Sequence, residues 1–250
     1  MYDFESAEEE LIAKGDNEQK MVRHQKMLSD VCEICKTRSN LDELWRDKVH
    51  HLMFPFLETI IWRKKVNGTK YRTNWILEDI YHAYNAFYLS LGVAAERLLE
   101  SADIIETTKK EFAVTVSSAC RVLEAVTSEY AGSSENDGKR VRALIMKTDD
   151  RCVKALIRVL KVLAEPSLKR HFGTEFEQTL SNTLVLMQRM LRQGSSQKSS
   201  VCHSFDAILT DGCLHELKMF ADEEQSRLNL SLRLKALHVL ELCADGKFGR

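Results

Sequence analysis

The chain has few of the residues that punctuate a β-rich fold. Two prolines and 10 glycines in 250 residues are too few for a protein made of many tight turns. Charge of one sign is missing as well. The 36 Lys and Arg against 37 Asp and Glu leave a net charge of −1, so whole-molecule attraction to a polyanion or a membrane surface is not the governing theme. No apolar run approaches the ~18 residues of a membrane span. The most apolar window, residues 86–95, is interrupted by Tyr88, Ser90 and Gly92, so no membrane partner is expected. The N-terminus is acidic and has no apolar core of a signal peptide.

Phosphate loops of the Gly-x-Gly-x-x-Gly or Gly-x-x-x-x-Gly-Lys type do not occur, nor does a Gly-x-Ser-x-Gly elbow. His215-Glu216 lacks the second histidine of a metalloprotease helix. No catalytic residue and no cofactor is therefore expected, and the chain reads as a non-enzymatic protein. Cys32 and Cys35 form a Cys-x-x-Cys, but a zinc site needs two further ligands at suitable spacing. The adjacent His50 and His51 would point about 100° apart on a helix and do not readily share one metal. No metal is expected. The seven cysteines are odd in number and sit mostly within apolar helical patterns, which suits free thiols in the cytoplasm or nucleus.

What is present is helical periodicity, almost throughout. A 44% hydrophobic, 29% charged composition is that of a folded chain with a sizeable core. Residues 1–39 form an acidic N-terminal helical segment, expected to be partly mobile. Its first 30 residues hold 8 acids and 4 bases. Residues 40–250 read as an α-helical domain with polar loops near 132–138 and 194–204. Helices are expected from Ile76 to Leu99, Ile105 to Tyr130, Asp150 to just before Pro166, Pro166 to Phe172, Thr174 to Arg192, Phe205 to Met219 and Asp222 to Ala244. Around Asn67-Gly68 two readings compete: a two-residue hairpin turn, or a helix end with Gly68 just past it. The helical surroundings favour the helix end.

Three segments share a local pattern: Ala119–Val126, Leu156–Leu163 and Ala236–Cys243. The second begins 37 residues after the first, and the third 80 residues after the second. Those offsets suit one and two units of a repeat of ~40 residues. On that pattern the chain resembles armadillo or HEAT repeat proteins in a generic way. The resemblance implies an all-α, irregular helical-repeat solenoid that works as an adaptor or scaffold for a partner protein. An irregular α-helical bundle is the alternative.

Charge is segregated locally. Residues 151–200 carry 9 bases and 3 acids. Arg151, Lys154, Arg158 and Lys161 fall within an arc of ~80° on one helix, opposite Val153, Leu156, Ile157, Leu160 and Leu163. Lys169 and Arg170 follow. Such a stripe is either a solvated face or a surface for a partner with an acidic segment, and Glu165 is the only acid between Arg151 and Arg170. A second cluster, Arg63, Lys64, Lys65, Lys70, Tyr71 and Arg72, mixes basic and aromatic residues. It suggests nucleic-acid binding as the alternative function, with 151–170 contributing phosphate contacts.

Overall fold

The computed structural model describes residues 30, 62–64, 70–72, 77–100, 104–127, 151–195 and 212–248. These residues are nearly all helical. The expected boundary near residue 39, the loop at 132–138, the Cys32–Cys35 pair and Lys65 lie outside the described residues, as do the side chains of the 62–72 segment and of Arg151. The chain separates into two compact units: 1–90 with 129–141, and 91–128 with 142–250.

In the first unit, Trp62–Lys64 (β1) pairs antiparallel with Lys70–Arg72 (β2). The register sets Trp62 opposite Arg72, Arg63 opposite Tyr71 and Lys64 opposite Lys70. This overturns the helix-end reading. Asn and Gly tolerate the positive φ of hairpin turns, and that local preference outweighs the helical surroundings; residues 65–69, which join the strands, lie outside the described residues. Helix α1, Leu77–Leu99, starts in this unit and ends in the second.

The second unit holds α2 (Glu106–Thr127), α3 (Arg151–Ala164), α4 (Pro166–Phe172), α5 (Phe176–Ser195), α6 (Cys213–Ala221) and α7 (Leu230–Phe248). Pro166 fits the first turn of α4, where its missing N–H has no partner to lose. Glu165 caps that turn through Ser167, and Gly173 ends it at φ 52°. A 3-10 turn, Gly173–Glu175, leads into α5, which runs through Gly194 to Ser195, inside the expected polar loop. The expected helix from Asp222 to Ala244 is broken. A four-residue turn, Glu223–Ser226, is followed by Arg227 at φ 51°, and α7 begins afresh where the Asn229 side chain accepts the Leu232 N–H at 3.0 Å.

Packing is ordered around α5. Helix α2 lies beside it in the same direction, since Ser117 meets Thr179, Cys120 meets Thr183 and Glu124 meets Arg189. Helix α7 lies on α5 in the same sense, with Asn229 bonded to Glu177 and Lys235 to Ser181. Helix α3 packs on α5 and α6, and α6 on α7. Gly92 of α1 gives close access to α3, because a Cβ there would stand 3.4 Å from Ala155 Cβ. The α5 stripe Phe176, Leu180, Leu184, Met187 and Leu191 is buried, as expected.

The α2–α5 seam is polar yet buried. Thr179 Oγ1 is 2.7 Å from the Glu175 carbonyl and 2.8 Å from Ser117 Oγ. A carbonyl only accepts, so Thr179 donates to it and Ser117 supplies the proton between the hydroxyls. Thr183 likewise donates to the Thr179 carbonyl at 2.8 Å, leaving Cys120 Sγ, 3.6 Å away, to donate to Thr183 Oγ1. Burial pushes the Cys120 thiol up to about 12, so it is an inert packing residue. Arg189 closes the seam with 2.6 Å and 2.7 Å bonds to the Glu124 carbonyl and carboxylate.

The three segments with a shared pattern fall on α2, α3 and α7, but they do not stack on one another at that spacing. Helix α2 packs on α5, and α3 sits against α5 and α6.

Candidate protein-binding surface

Helix α3 is buried around most of its circumference. Besides Val153, Leu156, Ile157, Leu160 and Leu163, the structure buries Cys152, Ala155, Val159 and Val162. Only a narrow strip remains. Lys154 is exposed on it, and Arg158 and Lys161 are half-buried. Half-burial at such an edge suits long basic side chains, whose alkyl stems cover apolar surface while their charged ends reach water.

Partners arrive from far away in sequence. Arg158 Nη1 stands 4.0 Å from Glu96 Oε2 on α1, a loose and largely solvated pair worth about 0–1 kcal/mol. Glu165, the one acid between Arg151 and Arg170, is engaged as the cap of α4. Lys161 has no acidic partner among the described residues.

The strip continues at α4, which packs on both α3 and the start of α2. Lys169 Nζ lies 4.3 Å from the centroid of the buried Phe176 ring. The positive ammonium is drawn to the electron-rich ring face there. Arg170 Nη2 meets Glu106 Oε2 at 3.1 Å, and Lys109 Nζ meets Glu106 Oε1 at 3.2 Å. His171 Nε2 is 3.5 Å from Glu106 Oε2, with its side chain only 7% exposed. One carboxylate thus faces three nitrogen-bearing groups. The Lys109 hydrogen bond holds Glu106 below the usual carboxylate range; burial opposes it, and the positive charge of Arg170 adds to the lowering. Burial lowers the His171 basicity; Glu106 pulls the other way, and Arg170 and Lys109 add to the lowering.

Of the residues singled out from sequence, the structure brings Lys154, Arg158, Lys161, Lys169 and Arg170 onto adjoining helices. Arg63, Lys64, Lys70, Tyr71 and Arg72 belong to the hairpin of the other unit. Sequence reasoning missed Lys109, Glu106 and Glu96. The Glu106–Lys109 spacing of three was legible as a local helical pair, but nothing local announced Arg170, 64 residues on.

Among the described residues no group of three or more His, Cys, Asp or Glu side chains could hold a metal ion, and no helix is long and apolar enough to cross a membrane. No protein-family model matches the chain, and neither characterised proteins nor solved structures show a match to it.

Proposed function

We propose that the chain is a non-enzymatic adaptor that holds an acidic segment of a partner protein along Lys154, Arg158, Lys161, Lys169 and Arg170, with Arg151 at the start of the same strip. The observation that carries this reading is the imbalance on the α3 strip. Lys154, Arg158 and Lys161 crowd one narrow edge, where Arg158 meets Glu96 only at 4.0 Å and Lys161 has no acidic partner among the described residues. The adaptor role draws on side-by-side helix packing, which an armadillo- or HEAT-like repeat would share. Helices α2, α5 and α7 lie side by side, while α1, α3 and α6 meet in a second row through Gly92–Ala155 and the α3–α6 contact. Stacks of this kind present extended surfaces rather than reaction centres. The four described cysteines are free and buried, which fits a reducing compartment, cytoplasmic or nuclear.

The test is the double reversal Arg158→Glu with Lys161→Glu. It should leave the helical circular dichroism and melting unchanged, and weaken capture of an acidic peptide at least tenfold, with the loss concentrated in association rate and salt dependence. Unchanged binding overturns the reading.

One observation favours nucleic acid as the second reading. The hairpin register sets Lys64 directly opposite Lys70, and like charges in that position repel unless an anion lies across them. A binding constant falling steeply with salt, and partners released by nuclease, would support this reading over the adaptor.

A further inference from the structure

Helix α7 is apolar on two sides. Leu232, Ala236, Val239 and Cys243 are buried, whereas Leu230, Leu234 and Leu237 stand 61%, 54% and 43% exposed on the opposite side. A helix that is apolar all round is normally covered all round. Steps of four and three put the exposed leucines on one line, the spacing of a helix–helix seam. Leu230 and Leu234 border an open groove of about 440 Å³ between α7 and Gln188 of α5. The middle of this face is poor in free charge. Lys235 turns its ammonium onto Ser181 Oγ at 2.6 Å, and Gln188 donates to the Lys235 carbonyl at 3.0 Å. Charge lies at the ends, with Arg227 just before the helix and Glu241 near its far end, beside His238 at 3.3 Å. Arg227 has no acidic partner among the described residues.

We propose that this face pairs with the same face of a second copy of the chain, α7 against α7 in antiparallel sense about a twofold axis between Leu234 and Leu237. That sense sets Leu234 against the second copy's Leu237 and carries each Glu241 toward the opposite Arg227. A parallel pairing would set arginine against arginine and glutamate against glutamate. The face is therefore complementary to itself in one orientation, as a twofold interface must be. A net charge of −1 offers no long-range repulsion between copies. A helix face ~10 Å wide and ~25 Å long gives a contact on the order of 250 Å² per copy. Twice that falls below the ~1,000 Å² at which stable specific interfaces begin, so the dimer is weak and concentration-dependent rather than obligate.

Analytical ultracentrifugation of the full chain from about 1 to 100 µM should show a monomer–dimer equilibrium within that range. Leu234→Glu should abolish dimerisation and leave the melting temperature of the monomer unchanged, because the side chain is exposed. Arg227→Glu or Glu241→Arg alone should weaken the dimer several-fold, and the two together should restore it. That restoration distinguishes an antiparallel copy from any other occupant. A chain that stays monomeric throughout, a dimer indifferent to Leu234→Glu, or a charge swap without restoration overturns the proposal. The Arg158→Glu, Lys161→Glu variant must still dimerise, and Leu234→Glu must still bind the acidic peptide, so this proposal and the adaptor reading fail separately.

Discussion

Helices α3 and α7 carry nearly the same local pattern, yet the structure treats them oppositely. In α3, nine consecutive-turn apolar side chains from Cys152 to Leu163 are buried, and what remains outside is a strip of lysine and arginine. In α7 the leucines split, with Leu232 inside and Leu230, Leu234 and Leu237 out. Composition does not separate the two. Position does: α3 is packed by α4, α5 and α6, whereas α7 has α5 and α6 on one side and nothing described on the other. An apolar residue on a helix states a demand for cover, and the arrangement of neighbours decides whether the same chain meets it.

The sharpest way to break that comparison is to truncate one leucine in each helix. Leu160 is fully buried, so Leu160→Ala removes packed methyl groups and leaves a cavity; it should cost about 2–5 kcal/mol. Leu234→Ala, on an exposed side, should change stability by less than ~0.5 kcal/mol. Denaturant midpoints measured at a concentration where the chain is monomeric decide it. Equal costs would mean that the outer face of α7 is packed after all.

A smaller effect tests α5, the helix that touches both. Thr179→Val keeps the shape of the side chain but removes the hydroxyl between Ser117 and the Glu175 carbonyl. The Ser117 hydroxyl is then left buried against a methyl group, at about 1–3 kcal/mol. The Ser117→Ala, Thr179→Val double variant should recover part of that loss, since neither partner is then stranded. If the single variant is neutral, the polar seam does not hold α2 to α5.

The helices were largely legible before the structure, and their surroundings were not. Pro166 and Gly173 bracket α4 to the residue, because proline suits a first turn and a residue at φ 52° suits glycine. The break before α7 was missed. Its signal is a single Asn229 cap, and the preceding Arg227 at positive φ gives no warning in its identity. The hairpin has its local signal in Asn67-Gly68, but the helical neighbours favour a helix end there, and from sequence alone no local feature decides between the two. The sequence places the bases of the strip on one helix, but the acids that meet Arg158 and Arg170 come from α1 and α2. Arg158 finds Glu96, 62 residues before it, and Arg170 finds Glu106, 64 residues before it. No periodicity of 3.6 carries such information; only the packing of α4 on α2 and of α3 on α1 supplies it.

The smallest expected effect lies at the α4 end of the strip and concerns pH. His171 is nine-tenths buried, and burial depresses its proton affinity below the ordinary value of 6.5. Above 6.5 the ring is neutral in both the folded and unfolded chain, and folding is indifferent to it. As pH falls below 6.5 the unfolded chain takes up the proton first, so stability declines until the folded ring also titrates. Glu106 behaves separately: held below 4.5, it adds stability above that pH and loses it only in more acidic solution. Melting curves between about pH 5 and 7.5 therefore isolate the histidine. The native chain should lose on the order of 1–2 °C more than His171→Gln across that interval. In Glu106→Gln the counter-pull on the ring is gone, the folded ring gives up its proton more readily still, and the decline should deepen. A decline that becomes shallower in Glu106→Gln would show that the carboxylate, rather than burial, governs the ring. Parallel curves for the native chain and His171→Gln would show that the ring is solvated, and the α4 end of the strip more open than the packing of α4 on α2 allows.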